Sequence, residues 1–306
     1  MHLMKTADFL FLDIPGSPIK VTGRNLAFTV QPERGLDISS LYFKGIPIAY
    51  NAPDEIAPSS CFSYREGDFQ RGMVFGLLTT CGLENAGPDQ LSETGEYWSK
   101  HGSLNYSPAV NVTAEKTDEG VRICGEIAGN RFSKHHFNLH RTISFNDEED
   151  KISVIDDVYN PGEDDQICIM YHYNVGAPFL SPSCKLFIPD RNVIPKNEDA
   201  AGFLSDLMNV SAPSEDQKPH VFYTDNSYAE LINDELGLTF ILSSDSSTLP
   251  KMDIWKNLRP ELYVMSLEPC NAFPYGRLAQ RNRGNYKLLR NGEHIEYRTE
   301  IRIKEN

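Results

Sequence analysis

The sequence predicts an all-β fold, mostly antiparallel with few short helices, and three observations carry that reading. Apolar residues recur with a period of two, the signature of half-buried strands. Glycine, proline, asparagine and aspartate clusters punctuate the chain where those runs stop. Helical patterns are scarce, and Ala200 to Met208 is the best stretch for two helical turns. Many short strands with such punctuation make an antiparallel sandwich or barrel.

The elements follow in order. Leu26 to Val30 alternates as a strand, and Glu33-Arg34-Gly35-Leu36-Asp37 reads as a turn with a charge pair. Gly76 to Gly87 is small and glycine-rich. It lacks the residue order of a phosphate loop and reads as a strand entering a tight loop. Ala109 to Ala114, Val121 to Ile127, His136 to Phe145 and Lys151 to Val158 are successive strands. Asp118-Glu119-Gly120, Asn146 to Asp150 and Asn160-Pro161-Gly162 separate or close them. His135, His136 and His140 share one of these strands with Lys134 and Arg141 and read as a solvated face. Ile167 to Asn174 is nearly continuously apolar, so both its faces should be covered. Ser211 to Lys218 is polar, contains proline and reads as a flexible excursion. After Leu238 to Ser243 and the turn Asn291-Gly292, the chain ends on the clearest strand. Ile295, Tyr297, Thr299, Ile301 and Ile303 line one face of it, and charged residues line the other. Such a strand could pair at an edge, which makes a homodimer an expectation. No linker or repeat divides the chain, so residues 1–306 are expected to form one domain.

The chain has 306 residues and a formal net charge of -14. An acidic surface argues against nucleic acid, whose phosphates need a dense positive footprint, and against anionic membranes. No segment approaches the roughly 20 apolar residues of a transmembrane helix, and no secretory leader is visible at the start. The six cysteines are scattered without a CxxC spacing, so they are expected to be reduced and mostly buried, in a cytoplasmic protein.

Two motifs far apart carry the candidate chemistry. His172 sits in Tyr171-His172-Tyr173-Asn174, near the end of an apolar strand, where burial would lower its pKa. A core histidine bonded to a backbone carbonyl is the plain alternative. Glu268 sits in Ser266-Leu267-Glu268-Pro269-Cys270-Asn271. Proline pushes the preceding residue extended, so the strand should end there with Glu268 at its tip. A carboxylate in that apolar stretch needs a partner, and an ion pair with Arg259 or Arg277 is the plain alternative. A histidine and a glutamate brought together can move a proton onto one atom and off another near pH 7. His101, before Gly102, is a candidate ligand contact or an exposed loop residue. Arg71 is a hydroxyl donor or a surface charge. Trp255, beside Asp253, could floor a sugar site or fill the core. Of the histidines only His172 and His101 look sited for a metal, and no metal is expected.

Glu33 to Ile38, Gly76 to Gly87, His101-Gly102, Tyr171 to Gly176 and Leu267 to Asn271 occur in this order. Together they resemble the aldose 1-epimerase-like, or galactose mutarotase-like, proteins over residues 25 to 305. The nearest branch is a bacterial group known as a domain of unknown function. The resemblance implies a β-supersandwich with an open sugar cleft and no cofactor. It implies that His172 is the general acid protonating the ring oxygen, and that Glu268 is the base taking the anomeric proton. It further implies sugar contacts from His101, Arg71 and Asp253, with Trp255 and Asn174 as added candidates. In that branch an arginine usually follows His-Gly, whereas Ser103 stands here, which removes a fork donor for an anionic group. The expected function is a carbohydrate epimerase acting on a small sugar. A carbohydrate-binding or sensing protein without catalysis is the alternative, because fold is not function. A lyase or hydrolase on an acidic sugar has less support, since a hydrolase usually needs two carboxylates flanking the bond.

Overall fold

The computed structural model describes residues 7–10, 16–50, 76–93, 95–128 and 137–306. Five strands come first: β1 (Asp8–Leu10), β2 (Ile19–Thr22), β3 (Leu26–Gln31), β4 (Asp37–Phe43) and β5 (Ile46–Pro47). Next are β6 (Leu78–Leu83) and a small ribbon, β7 (Gln90–Leu91) with β8 (Tyr97–Trp98). A meander follows, built from β9 (Val110–Lys116), β10 (Gly120–Ala128), β11 (Asn138–Asn146) and β12 (Lys151–Tyr159). Then come β13 (Asp165–Gly176), β14 (Cys184–Phe187), β15 (Val193–Pro195), β16 (His220–Thr224), β17 (Tyr228–Asn233) and β18 (Leu238–Ser244). The last four are β19 (Lys251–Arg259), β20 (Leu262–Cys270), β21 (Lys287–Leu289) and β22 (His294–Glu305).

Strands β1 to β5 make one sheet in sequence order. An eight-stranded sheet runs β14-β17-β18-β22-β12-β11-β10-β9, and a seven-stranded sheet runs β15-β16-β19-β20-β13-β21 with β6 also on β13. The two large sheets pack face to face. From β13, Tyr171 Oη donates to Asp156 Oδ2 at 2.6 Å and Tyr173 Oη lies 2.6 Å from Thr299 Oγ1, both on the opposing sheet. Period two explains the layer between them. Ile169, Tyr171, Tyr173 and Val175 of β13, Met265 and Leu267 of β20, and Tyr297, Ile301 and Ile303 of β22 all enter one buried cluster.

One ionic knot crosses this apolar layer. Arg141 on β11 is fully buried opposite Asp156 on β12. All five of its N–H groups are used: Nε and Nη2 on Asp156 at 2.8 and 2.7 Å, Nη1 on Asp37 at 2.9 Å and Gly35 O at 2.8 Å, and Nη2 again on Thr80 Oγ1 at 2.9 Å. Thr80 in turn donates its hydroxyl and backbone N–H to Asp37. Burial works against the guanidinium charge, and Asp156 and then Asp37 more than offset it. Each donor and acceptor therefore has a partner, the condition under which buried charge is tolerated.

Several expectations change. Arg141 is no part of a solvated face; only His140, one residue away and on the other side of the strand, is exposed. His135, His136 and Lys134 lie outside the described residues. Asp37 pairs with Arg141 rather than with Arg34, which instead donates to Asn105 O at 2.6 Å. The stretch Ala200 to Met208 is not one helix. It divides into a short helix (Glu198–Ala201) and a 3-10 turn (Leu204–Asp206), because its core anchors, Ala200 and then Leu207 with Met208, lie at its two ends and residues 201–206 between them are exposed, so no apolar stripe runs along one continuous helix. The last strand is no edge: β22 lies between β18 and β12, so it offers no free ladder to a second copy.

Arg141→Leu leaves two buried carboxylates without their cation and is expected to cost about 3–5 kcal/mol. Tyr171→Phe removes one hydrogen bond to a charged group and should cost about 1.5–3 kcal/mol. Urea unfolding monitored by circular dichroism reads both, and equal losses for the two variants would contradict the arrangement.

Candidate active site

The core takes the odd-numbered residues of β13, so the even-numbered ones face the other side of the sheet. Register then assembles a row across five strands. Tyr223 of β16 pairs with Asp253 of β19, and Asp253 with Glu268 of β20. His172 of β13 lies beside Glu268 on one side and pairs with Thr79 of β6 on the other. All five residues therefore share one face. The His172 Nε2 atom lies 3.0 Å from Glu268 Oε1, and the side chains are only 7% and 3% exposed.

Proline shapes this spot. The β13–β20 ladder pairs Met170 with Cys270 and resumes at Tyr173 with Leu267. The interval between holds His172, Glu268 and Pro269, and proline has no N–H to give a ladder. The strand nonetheless continues, with Pro269 opposite Met252 of β19. Glu268 is thus inside a strand, not at its tip, and His172 likewise lies within β13 rather than at its end.

The plain alternatives for both residues fail. Arg259 pairs with Glu261 and Glu215, and Arg277 with Asp165, so neither serves Glu268. Glu268 accepts instead from Ser266 Oγ and contacts His172. Trp255 is half-buried on the same face, edge-on to His172 with ring centroids 5.7 Å apart. It pairs across the sheet with Ser266, which pairs with Asn174. The Asn174 amide donates to His172 O at 3.1 Å.

His101 reaches the site from a loop. Gly82 N–H donates to His101 O at 2.8 Å, and Ser103 N–H to Gly82 O at 3.0 Å, which stitches the loop to β6. A Cβ on Gly102 would fall 2.3 Å from Gly82 O, so glycine is required for that approach. Gly87 N–H donates to His101 Nδ1 at 3.3 Å, which fixes the proton of a neutral ring on Nε2. Arg71 lies outside the described residues.

Electrostatics favours the neutral forms here. Burial pushes the His172 pKa down to about 3, with Asn174 opposing and the Lys100 charge adding to the shift. Burial, then Lys100, His172 and Lys196, hold His101 well below the ordinary imidazole range. Burial and the neighbouring Asp253 push Glu268 well above the carboxylate range, against Ser266, Lys196 and Lys100. Burial raises Asp253 to about 7. Among the described residues, four polar atoms of the row have no hydrogen-bond partner although buried: Thr79 Oγ1, His172 Nδ1, Asp253 Oδ1 and Tyr223 Oη. Such atoms cost free energy unless a ligand or water meets them. A hollow of about 630 Å³, lined in part by His140, Asp157, Tyr159 and His294, lies on the outer face of the eight-stranded sheet, apart from this row.

Sequence reasoning missed Tyr223, Thr79, Ser266, Lys100 and Lys196. Alternation from Glu268 reaches Ser266. The others come from strands whose neighbours are set by register, which one sequence does not display.

The family model described as "Domain of unknown function (DUF4432)" matches residues 17–303. No curated protein matches. A Klebsiella pneumoniae structure described as a "putative aldose 1-epimerase" is 20% identical, over 94% of this chain and 79% of that one, with a TM-score of 0.88. A galactose mutarotase-like protein from Clostridium acetobutylicum is 14% identical, over 98% of both chains, with a TM-score of 0.70. The chain belongs to the DUF4432 family and has the galactose mutarotase-like fold.

Asp253 and Glu268 both favour their protonated forms in the folded state. Their folded pKa values exceed the unfolded ones, so they cost stability as pH rises from about 4 through about 7 and beyond. Asp253→Asn removes part of that cost. It should raise unfolding free energy by about 1–3 kcal/mol near pH 8 and change little near pH 4. Thermal unfolding at the two pH values checks this, and a gain that is equal at both would contradict it.

Proposed function

We propose that this DUF4432 member is a cofactor-independent carbohydrate isomerase that exchanges the anomers of an aldose or sugar derivative. The observation that carries the reading is the 3.0 Å contact between His172 Nε2 and Glu268 Oε1 in a desolvated row. Anomer exchange needs a proton delivered to the ring oxygen and one removed from the anomeric hydroxyl. Both oxygens are bonded to the same carbon, so acid and base must stand side by side.

The pair holds one proton. Burial alone favours that proton on Glu268 with a neutral His172. Lys196 and Lys100 pull the other way at Glu268 and favour its carboxylate. A sugar bridging the pair makes use of the second arrangement. His172 protonates the ring oxygen, Glu268 takes the anomeric proton, and the C1–O bond of the ring opens to the aldehyde. Rotation about C1–C2 and reclosure, with the two groups exchanging roles, gives the other anomer. Neutral His101 donates from Nε2 to a hydroxyl. The buried polar atoms of Thr79, Asp253 and Tyr223 meet others, and Trp255 offers an aromatic face. The geometry of the charge shift is pre-set, so little reorganisation is needed when the proton moves.

Exchange-spectroscopy NMR on a panel of free aldoses, uronic acids and sugar phosphates tests the reading. Glu268→Gln and His172→Asn are each expected to lower anomer exchange by about 10²–10⁴-fold with circular dichroism unchanged. Both variants exchanging sugars at the wild-type rate would sink it. Line broadening by a sugar that the wild type binds but does not exchange would point instead to a binding or sensing role.

A further inference from the structure

The Glu268 carboxylate uses its two oxygens unequally. Ser266 Oγ donates to Oε1, and His172 Nε2 lies 3.0 Å from that same atom. Oε2 receives no hydrogen bond among the described residues and is not sealed in, so it opens to the outer side of the row. The terminal torsion of a glutamate is broad, so an unheld carboxylate turns easily. A donor fixed at one oxygen removes that freedom and sets the direction of the other.

Ser266 has the surroundings of such a fixed donor. It stands two residues before Glu268 on β20, so both side chains leave the same face of the strand. Register seats it between Trp255 of β19 and Asn174 of β13, with a ladder on either side. It is 0% exposed, so no bulk water competes for its hydroxyl. The β13–β20 ladder is intact at Ser266 and Leu267 and lapses at Glu268 and Pro269. The Ser266 hydroxyl therefore holds Glu268 where backbone pairing to β13 does not.

Resting on the isomerase reading above, we propose that Ser266 is the positioning residue of the base: it pins Oε1 of Glu268 so that Oε2 faces the anomeric hydroxyl. When His172 gives its Nε2 proton to the ring oxygen, Oε1 loses its contact with the imidazole and Ser266 alone keeps it in place. Oε2 takes the anomeric proton, the bond from C1 to the ring oxygen breaks, and the C1 carbonyl forms. A hydrogen bond to the charged form also favours the carboxylate, so Ser266 keeps the base available at lower pH. The other titratable groups facing Glu268 are His172 on β13, Asp253 on β19 and, at longer range, Lys100 and Lys196. Burial holds the Cys81 and Cys270 thiols and the Tyr223 phenol neutral.

The test compares the wild type with Ser266→Ala and Ser266→Thr. Carbon-13 NMR follows the Glu268 carboxyl, assigned by its absence in Glu268→Gln, and exchange NMR of free aldoses gives kcat and KM across pH. Ser266→Ala should move the Glu268 titration, and the rise of kcat with pH, upward by about one pH unit. It should also lower kcat by about 10–100-fold at neutral pH while KM stays within about twofold. Ser266→Thr keeps the hydroxyl and should restore both. An unchanged Glu268 titration in Ser266→Ala would overturn the inference, even if activity fell, because a merely structural loss leaves that titration in place. A folded threonine variant that behaves like the alanine one would overturn it too. A Glu268 titration that shifts in Ser266→Ala and returns in Ser266→Thr, with no sugar exchanged by the wild type, would uphold the hold on Glu268 and remove the isomerase reading.

Discussion

One guanidinium, Arg141, fixes the arrangement from which the site follows. Its five N–H groups join β11 to β12, to the start of β4 and to β6. Those contacts tie the five-stranded sheet and the two large sheets together at one point in the apolar layer. A buried ion pair is weak evidence for net stability, because desolvation offsets the Coulomb gain. Its effect here is on specificity. A shift of any one of these strands by one residue would strand a charge in the core, whereas an apolar contact in its place could slide. Tyr171 belongs to the same knot through Asp156. The next residue along β13 is His172, so the phase of the strand is fixed one residue from the candidate acid.

That phase decides what faces the open side. With Tyr171 and Tyr173 turned inward, His172 and Asn174 turn outward. The same alternation in β20 turns Leu267 in and Glu268 out. The outward row is unusual for a sheet face because it is both buried and polar. Burial without full pairing raises the carboxyls and lowers the imidazoles, so the carboxyls keep protons and the imidazoles stay neutral where their ordinary pKa values would not allow it. Lys196 and Lys100 limit that effect and bias Glu268 toward its charged form.

Much of this fold was legible in the sequence. The strands from Leu26, Val121, Lys151, Leu238 and Ile295 follow from alternation alone, since each has one face in the core. The pairing of His172 with Glu268 was legible only through the ordered motifs. Sequence spacing says nothing about two strands nearly a hundred residues apart. Position within the sheet was not legible either. The last strand looks half-polar because its outer face meets solvent, and nothing in that pattern distinguishes a central strand from an edge. Arg141 misled for a related reason: a charged residue beside histidines reads as exposed until its carboxylate partners, from distant strands, are placed. Pro269 misled because a proline in a central strand is rare, and here the ladder gap accommodates it.

The account depends on His172 being a desolvated imidazole that shares one proton with Glu268. Nitrogen-15 NMR of the His172 ring, followed across pH in the intact protein, measures that state directly. The account predicts a neutral ring throughout the physiological range, with Nε2 engaged by the Glu268 carboxyl and protonation only toward about 3. Titration of His172 at the ordinary imidazole value of about 6.5, unaffected by Glu268→Gln, would contradict it.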